Sequence, residues 1–230
     1  MLAPGAPGER HDRSSVTIAP VRMTAGGGRW DGPGLEAWRG AWTPAEAAEK
    51  FSGLKVPWCV VGGWAIDLFL GRQTRPHGDL EIAVVKSDLP AVRAHLAGYR
   101  FHAVGDGDVR ALAPGEPPPP EKHQTWVLEE AVQLWRVDVM QEPGDHETWV
   151  FRRDQRIAAP RAQMIAFSGG VPYLRPEGSL LYKAKAQRPK DEADFAACAP
   201  HLGAGSRAWL REAITSLYPG HAWASALDRI

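Results

Sequence analysis

The chain has 230 residues, with 27 Lys+Arg against 27 Asp+Glu, so it carries no formal net charge. A hydrophobic fraction of 44% and a charged fraction of 23% are ordinary for a soluble globular protein, and the length allows one full core with a small appendage. Neutrality argues against a protein that coats nucleic acid or an anionic membrane, no apolar run approaches the ~20 residues of a transmembrane helix, and Pro4, Gly5, Pro7 and Gly8 interrupt any signal-peptide core, so a cytoplasmic location is expected.

Residues 1–30 are rich in Pro, Gly, Ser and Arg without a sustained apolar period, and read as a flexible or loosely docked leader. Thr43-Pro44-Ala45-Glu46 predicts a helix start. Thr43 caps it, Pro44 suits its first position and Glu46 completes a capping box, with the end near Gly53. Trp58 to Val61 reads as a buried strand broken by Gly62-Gly63, and Trp64 to Leu70 as a short helix stopping at Gly71. Leu80 to Val85 is the next strand. A helix starting at Ser87-Asp88-Leu89-Pro90 turns Leu89, Val92 and Leu96 toward the sheet.

Strands are expected at residues 99–104 and 109–112, then a stiff exposed loop over 114–121 with four consecutive prolines. Residues 125–128, 132–140 and 148–151 have strand character. Beyond Pro176 the pattern is helical: 177–186, 189–198, and a third helix capped by Ser206 that ends at Tyr218-Pro219. Cys59 and Cys198, in apolar surroundings and without zinc-site spacing, read as buried free thiols. Of the ten tryptophans, Trp64 is expected to pack its helix on the sheet, and Trp126, Trp135 and Trp149 to fill the core or line a cleft.

Residues two apart on a strand point the same way, so Asp79 and Glu81 share a face. Two such carboxylates repel unless a hard cation joins them, and Mg²⁺ suits the pair because it takes carboxylates, phosphate oxygens and water together. Alternatively both face water on a half-exposed strand. Asp138, in the apolar run Val137-Asp138-Val139, is a third carboxylate that needs a partner or a metal. It suits a second ion or the proton of an attacking hydroxyl; an edge-strand position is the plainer alternative. Gly62 and Gly63 let backbone approach a phosphate where a Cβ would clash, or simply make a tight turn. Arg72, Arg75 and His77 crowd the approach to Asp79, either to neutralise a polyphosphate or as a solvated loop. In the tail, Lys183 lies beside the apolar Leu180 and Leu181, with a solvated helix surface as its plainer alternative. Asp191 and Asp194 read as first-turn acids favoured by the helix dipole. Asp67 sits where it can orient a neighbour.

The run from Val61-Gly62-Gly63-Trp64-Ala65-Ile66-Asp67 through Gly71-Arg72, Thr74-Arg75, His77 and Asp79-Leu80-Glu81 resembles the aminoglycoside 2''-adenylyltransferases and the related lincosamide nucleotidyltransferases. Both belong to the polymerase-β-like nucleotidyltransferase superfamily, whose pattern is Gly-Gly or Gly-Ser followed by Asp-x-Asp/Glu. The resemblance implies an α+β fold: a mixed sheet flanked by helices over residues 31–160 and a small helical region over 161–230. It implies that Asp79, Glu81 and Asp138 bind two Mg²⁺ ions, that Asp138 is the base, and that Gly62, Gly63, Arg72, Arg75, His77 and Lys183 contact ATP or another nucleoside triphosphate. The implied reaction moves a nucleoside monophosphate, AMP first among the candidates, to a hydroxyl of a small molecule such as an aminoglycoside- or lincosamide-like antibiotic. Glu81 departs from the family pattern, which usually has Asp there, and its longer arm displaces the carboxylate. Transfer to a protein or tRNA and a degenerate ligand-binding module of the same fold are the alternatives; overall neutrality weighs against tRNA.

Overall fold

The computed structural model describes residues 24–25, 28–30 and 32–230. Most of the leader expected over residues 1–30 lies outside the described residues; within it, Thr24–Ala25 (β1) and Gly28–Arg29 (β2) form short strands. In chain order the remaining elements begin with α1 (Pro44–Lys50), β3 (Trp58–Val60), α2 (Gly62–Leu70), β4 (Glu81–Val85) and α3 (Leu89–His95). Strands β5 (Arg100–Gly105), β6 (Asp108–Ala111), β7 (Gln124–Glu129), β8 (Leu134–Glu142), β9 (Thr148–Val150) and β10 (Ala158–Pro160) follow. The chain closes with α4 (Arg161–Met164), β11 (Ile165–Ser168), β12 (Val171–Leu174), α5 (Pro176–Ala184), α6 (Pro189–Cys198), α7 (Ala204–Leu217) and α8 (Ala222–Leu227).

Ten strands form one mixed sheet in the order β11-β12-β3-β4-β8-β7-β5-β6-β1-β2, and β9 and β10 pair separately. The α+β class and the helical end of the chain agree with the expectation. Strands β11 and β12, on which the sequence reading was silent, lie inside residues 161–230 and extend the sheet beside β3 before the helices begin at Pro176.

Several local expectations hold for the reasons given. Thr43 caps α1, and Glu46 completes the reciprocal capping box. Gly71 ends α2 with φ +67°, a left-handed conformation that glycine adopts without a Cβ penalty. Others change. Helix α2 starts at Gly62 rather than Trp64, so the glycine pair is its first turn. Helix α3 begins at Leu89 after a 3₁₀ turn over Lys86–Asp88, without a side-chain cap from Ser87. Ser206 does not cap α7, which starts at Ala204; its hydroxyl donates to Glu177 Oε1 at 3.0 Å instead.

The sheet has a core on each face, as alternation along strands requires. Val60, Ile82, Val84, Val137 and Val139 face α1 and α3, packing with Leu89, Val92 and Phe101. Cys59, Ala83 and Met140 face the other way, toward Leu180, Leu181, Phe195, Leu210 and Ile214 of the C-terminal helices. Asp138 lies between Val137 and Val139 on β8, so it projects on the face that the C-terminal helices cover. A third cluster gathers Trp38 and Trp135 with Trp30 and Trp126 packed against them. Cys59 and Cys198 are buried and free. Among the described residues no helix is long and apolar enough to cross a membrane.

Candidate active site

Parallel pairing of β4 with β8 places Glu81 directly opposite Asp138, and the Asp138 amide donates to Leu80 O at 2.8 Å. Asp79 is exposed in the loop just ahead of β4, two residues before Glu81. On the other side, the Val61 amide donates to Glu81 O at 2.9 Å, which draws the start of α2 against the same carboxylate. Gly62 has φ +69°, and a Cβ there would overlap Glu81 Oε2. A Cβ on Gly63 would overlap Arg75 Nη2 and lie 2.7 Å from the His77 ring. Both glycines are therefore close approaches, with the Glu81, Arg75 and His77 side chains occupying the space a larger residue would take.

The electrostatics follow from this crowding. Burial raises the Glu81 carboxyl above the ordinary range, the charge of Asp79 raises it further, and Lys183, Lys190 and Arg188 pull it down. Asp138, only 2% exposed, is raised well above the usual range by burial and then by Glu81 and Asp79. Gln124 Nε2 donates to its Oδ2 at 2.8 Å, while its Oδ1 is buried without a hydrogen-bond partner. Two buried acids raised in this way beside the charge of Asp79, one of them with an unpartnered oxygen, would be relieved by a divalent cation. Among the described residues no group of three or more Asp, Glu, His or Cys side chains is arranged to hold a metal ion. Mg²⁺ needs only one or two carboxylates and completes its shell with phosphate oxygens and water.

The cations form a second network. Arg75 grips Asp194 with a two-pronged fork, Nε to Oδ1 at 2.8 Å and Nη2 to Oδ2 at 2.9 Å. Lys183 Nζ lies 2.7 Å from Asp194 Oδ2 and 3.6 Å from Asp191 Oδ1. Burial would raise the Asp194 carboxyl, but the Arg75 hydrogen bonds and Lys183 outweigh it and hold the group below the usual range. Lys183 is thus buried against α6 rather than solvated. Asp194 is not a first-turn acid of α6; it is the carboxylate that ties the tail to the loop ahead of Asp79.

His77 is held on two sides. Its Nε2 meets Asp67 Oδ2, and the Trp64 ring stacks on it with centroids 4.3 Å apart. Asp67 also accepts from the Thr74 amide at 3.0 Å and from its hydroxyl, so it fixes the whole loop as well as the imidazole. Burial lowers the His77 pKa against the opposing hydrogen bond from Asp67. Arg72 stands apart from these contacts. It is exposed past Gly71, at the opposite end of α2 from Gly62, which the helical rise puts roughly 13 Å away.

The structure therefore brings Gly62, Gly63, Arg75, His77, Glu81, Asp138 and Lys183 into one neighbourhood on the face covered by the tail, with Asp79 at its rim and Arg72 outside. Asp194 and Gln124 were missed as parts of this neighbourhood. The signal for Asp194 was its position, six residues into α6 and next to the buried Phe195, too far along for a dipole role. Gln124 gave no signal before strand register was known.

Residues 45–111 match the family model of the aminoglycoside-2''-adenylyltransferases, a span that contains both glycines, Arg75, His77, Asp79 and Glu81 but ends before Asp138. No curated protein matches the chain. The solution structure of the antibiotic-resistance factor ANT(2'')-Ia is similar at 18% identity, with 81% of this chain and 94% of that one covered and a TM-score of 0.51. The crystal structure of ANT(2'')-Ia in complex with adenylyl-2''-tobramycin is similar at 19% identity, with 74% and 93% covered and a TM-score of 0.51. A lincomycin-bound lincosamide adenylyltransferase, LnuA, has 16% identity, 67% and 92% covered, and a TM-score of 0.46.

Proposed function

We propose, from the premise that this chain is a nucleotidyltransferase-fold enzyme related to the aminoglycoside 2''-adenylyltransferases, that it transfers AMP from ATP to a hydroxyl of a small antibiotic-like acceptor. The observation that carries the reading is the pairing of Glu81 with Asp138 across β4 and β8, with the Gly62 backbone against one of them and an unpartnered oxygen on the other.

In this reading Asp79, Glu81 and Asp138 hold Mg²⁺, which when bound neutralises charge on the reacting phosphates. The first turn of α2, at Gly62 and Gly63, would offer its N-terminal amides to the polyphosphate. Lys183 and Arg75, already placed by Asp194, supply positive charge beside it, and His77 lines the same turn. Asp138 Oδ1 accepts the proton of the acceptor hydroxyl as its oxygen bonds to the α-phosphorus, and the bond to pyrophosphate breaks. Transfer of this kind depends on positioning and charge stabilisation more than on covalent help. The acceptor would sit between the sheet and the C-terminal helices, where Asp138 points.

A screen for pyrophosphate release, with Mg²⁺, nucleoside triphosphates and a panel of hydroxylated antibiotics, tests the reading. Acceptor-dependent release that disappears in Asp138→Asn supports it; release with no acceptor in the panel, or none from wild type, contradicts it. A second reading, a ligand-binding module that has lost turnover, is favoured by Glu81 in place of Asp and by the open arrangement of the three acids. Nucleotide binding that is indifferent to Mg²⁺ would select it.

A further inference from the structure

We propose that Gln124 is a positioning residue for Asp138, choosing which carboxylate oxygen faces the reacting hydroxyl; the inference rests on the assignment of Asp138 as the base. Antiparallel pairing of β7 with β8 puts Trp126 directly opposite Asp138 and Gln124 opposite Met140. Gln124 and Trp126 are two residues apart, so both lie on the Asp138 face and flank its side chain from the neighbouring strand.

The amide orientation is fixed by chemistry. An ionised carboxylate only accepts, so the contact at 2.8 Å between Gln124 and Asp138 Oδ2 must come from the Gln124 NH₂ group. One oxygen is thereby held and the other, Oδ1, is left buried and without a partner. The terminal torsion of an aspartate is broad and nearly two-fold, so packing alone does not distinguish its oxygens. A donor fixed on one oxygen does, and the Trp126 indole N–H on the same strand is a further hydrogen-bonding group for this carboxyl.

The support beneath Gln124 and Asp138 is rigid. A register shift between Val127 and Leu128 brings Trp135 beside Trp126, with ring centroids 5.3 Å apart. Trp38 packs edge-on against Trp126 at 5.2 Å, and fully buried Trp135 anchors the block. Strand β7 can therefore hold Gln124 in place against Asp138 Oδ2.

Gln124→Met keeps the length of the side chain and removes the donor. Crystal structures of wild type and the variant should show one Asp138 carboxylate orientation in the first and a rotated or doubled one in the second. An unchanged single orientation overturns the proposal, whether or not the enzyme turns over. Kinetically, kcat should fall about 10- to 100-fold, as for other supports of functional side chains, while KM for nucleotide holds and Tm drops by only a few degrees for the lost hydrogen bond. Parallel losses in kcat and nucleotide KM would make Gln124 a purely structural residue and overturn it too. Asp138→Asn separates the two claims: full turnover in that variant removes the base assignment, and with it the kinetic part of the proposal, without altering the crystallographic comparison.

Discussion

Asp194 and Arg75 are 119 residues apart and joined by two parallel hydrogen bonds, with Lys183 on the same carboxylate. The C-terminal helices are therefore fastened to the loop that leads into Asp79, and the same carboxylate positions the two cations proposed to meet phosphate. Arg75 spends its fork on Asp194, so it acts first as a clamp. Lys183 keeps donor capacity beyond its contacts with Asp194 and Asp191.

Asp194→Ala leaves buried Lys183 with only the longer 3.6 Å contact to Asp191 and frees Arg75, whose side chain is 21% exposed. Breaking a buried pair from one side costs about 3–5 kcal/mol, and the partial exposure of Arg75 favours the low end. The expected fall in Tm is roughly 6–12 °C for a chain of this size. Because the Asp194 carboxyl is held below its ordinary pKa, its contribution is complete above the unfolded value and is lost as pH falls through the folded one. Acid unfolding monitored by circular dichroism should begin at a higher pH in the variant; an unchanged acid limb would show that the clamp carries no stability.

Glu142 makes the opposite prediction. It is buried on the Asp138 face of β8, where loss of hydration pushes its carboxyl up to about 7 against the opposing hydrogen bond from Tyr182 and the charges of Arg161 and Arg152. The folded protein then keeps a proton that the unfolded chain releases, so stability falls as pH rises from about 4.5 to about 7 and stays reduced above. The penalty is of order 3 kcal/mol. Glu142→Gln should raise Tm at pH 8 and change it little at pH 5, and equal shifts at both values would refute a buried titrating acid.

Gly62 and Gly71 form a natural pair for testing close approach. Both have left-handed backbones, φ +69° and +67°, so alanine carries a similar backbone cost of about 1–2 kcal/mol at each. Only at Gly62 would the new methyl collide with Glu81; at Gly71 there is open space. Both alanine variants should lose a few degrees of Tm, but only Gly62→Ala should lose turnover. Matching activity in the two would mean that the contact with Glu81 has no functional weight.

Asp79 is exposed, so Asp79→Ala should fold normally while transfer drops by on the order of 10²–10³-fold or more, the scale for removing an electrostatic stabiliser of a transition state. Retained turnover in a variant with a wild-type melting curve would remove Asp79 from the metal assignment.

Much of this arrangement was legible because the motif is local. Val60 to Glu81 carries its own strand, glycine turn, helix and carboxylates, and the capping box at Thr43 and the stop at Gly71 follow from single-residue chemistry. Pairings between distant strands were not legible. That Asp138 faces Glu81, that β11 and β12 join beside β3, and that Gln124 reaches Asp138 all depend on register. A one-residue slip in β8 would have turned Asp138 to the opposite face. Asp194 was misread because a helix-dipole role and a buried ion pair look alike in sequence; only the fold shows that Arg75 and Lys183 converge on it. Ser206 was misplaced as a cap for a similar reason, since its tertiary partner Glu177 lies 29 residues away.

The sharing of a divalent ion by Asp79, Glu81 and Asp138 is tested most directly by calorimetric titration of a non-hydrolysable ATP analogue, with and without Mg²⁺, into wild type and Asp79→Ala. The account predicts that Mg²⁺ tightens binding to wild type by about tenfold or more, roughly 1.4 kcal/mol, and that the variant loses this gain. Equal affinity with and without Mg²⁺ in wild type would contradict it.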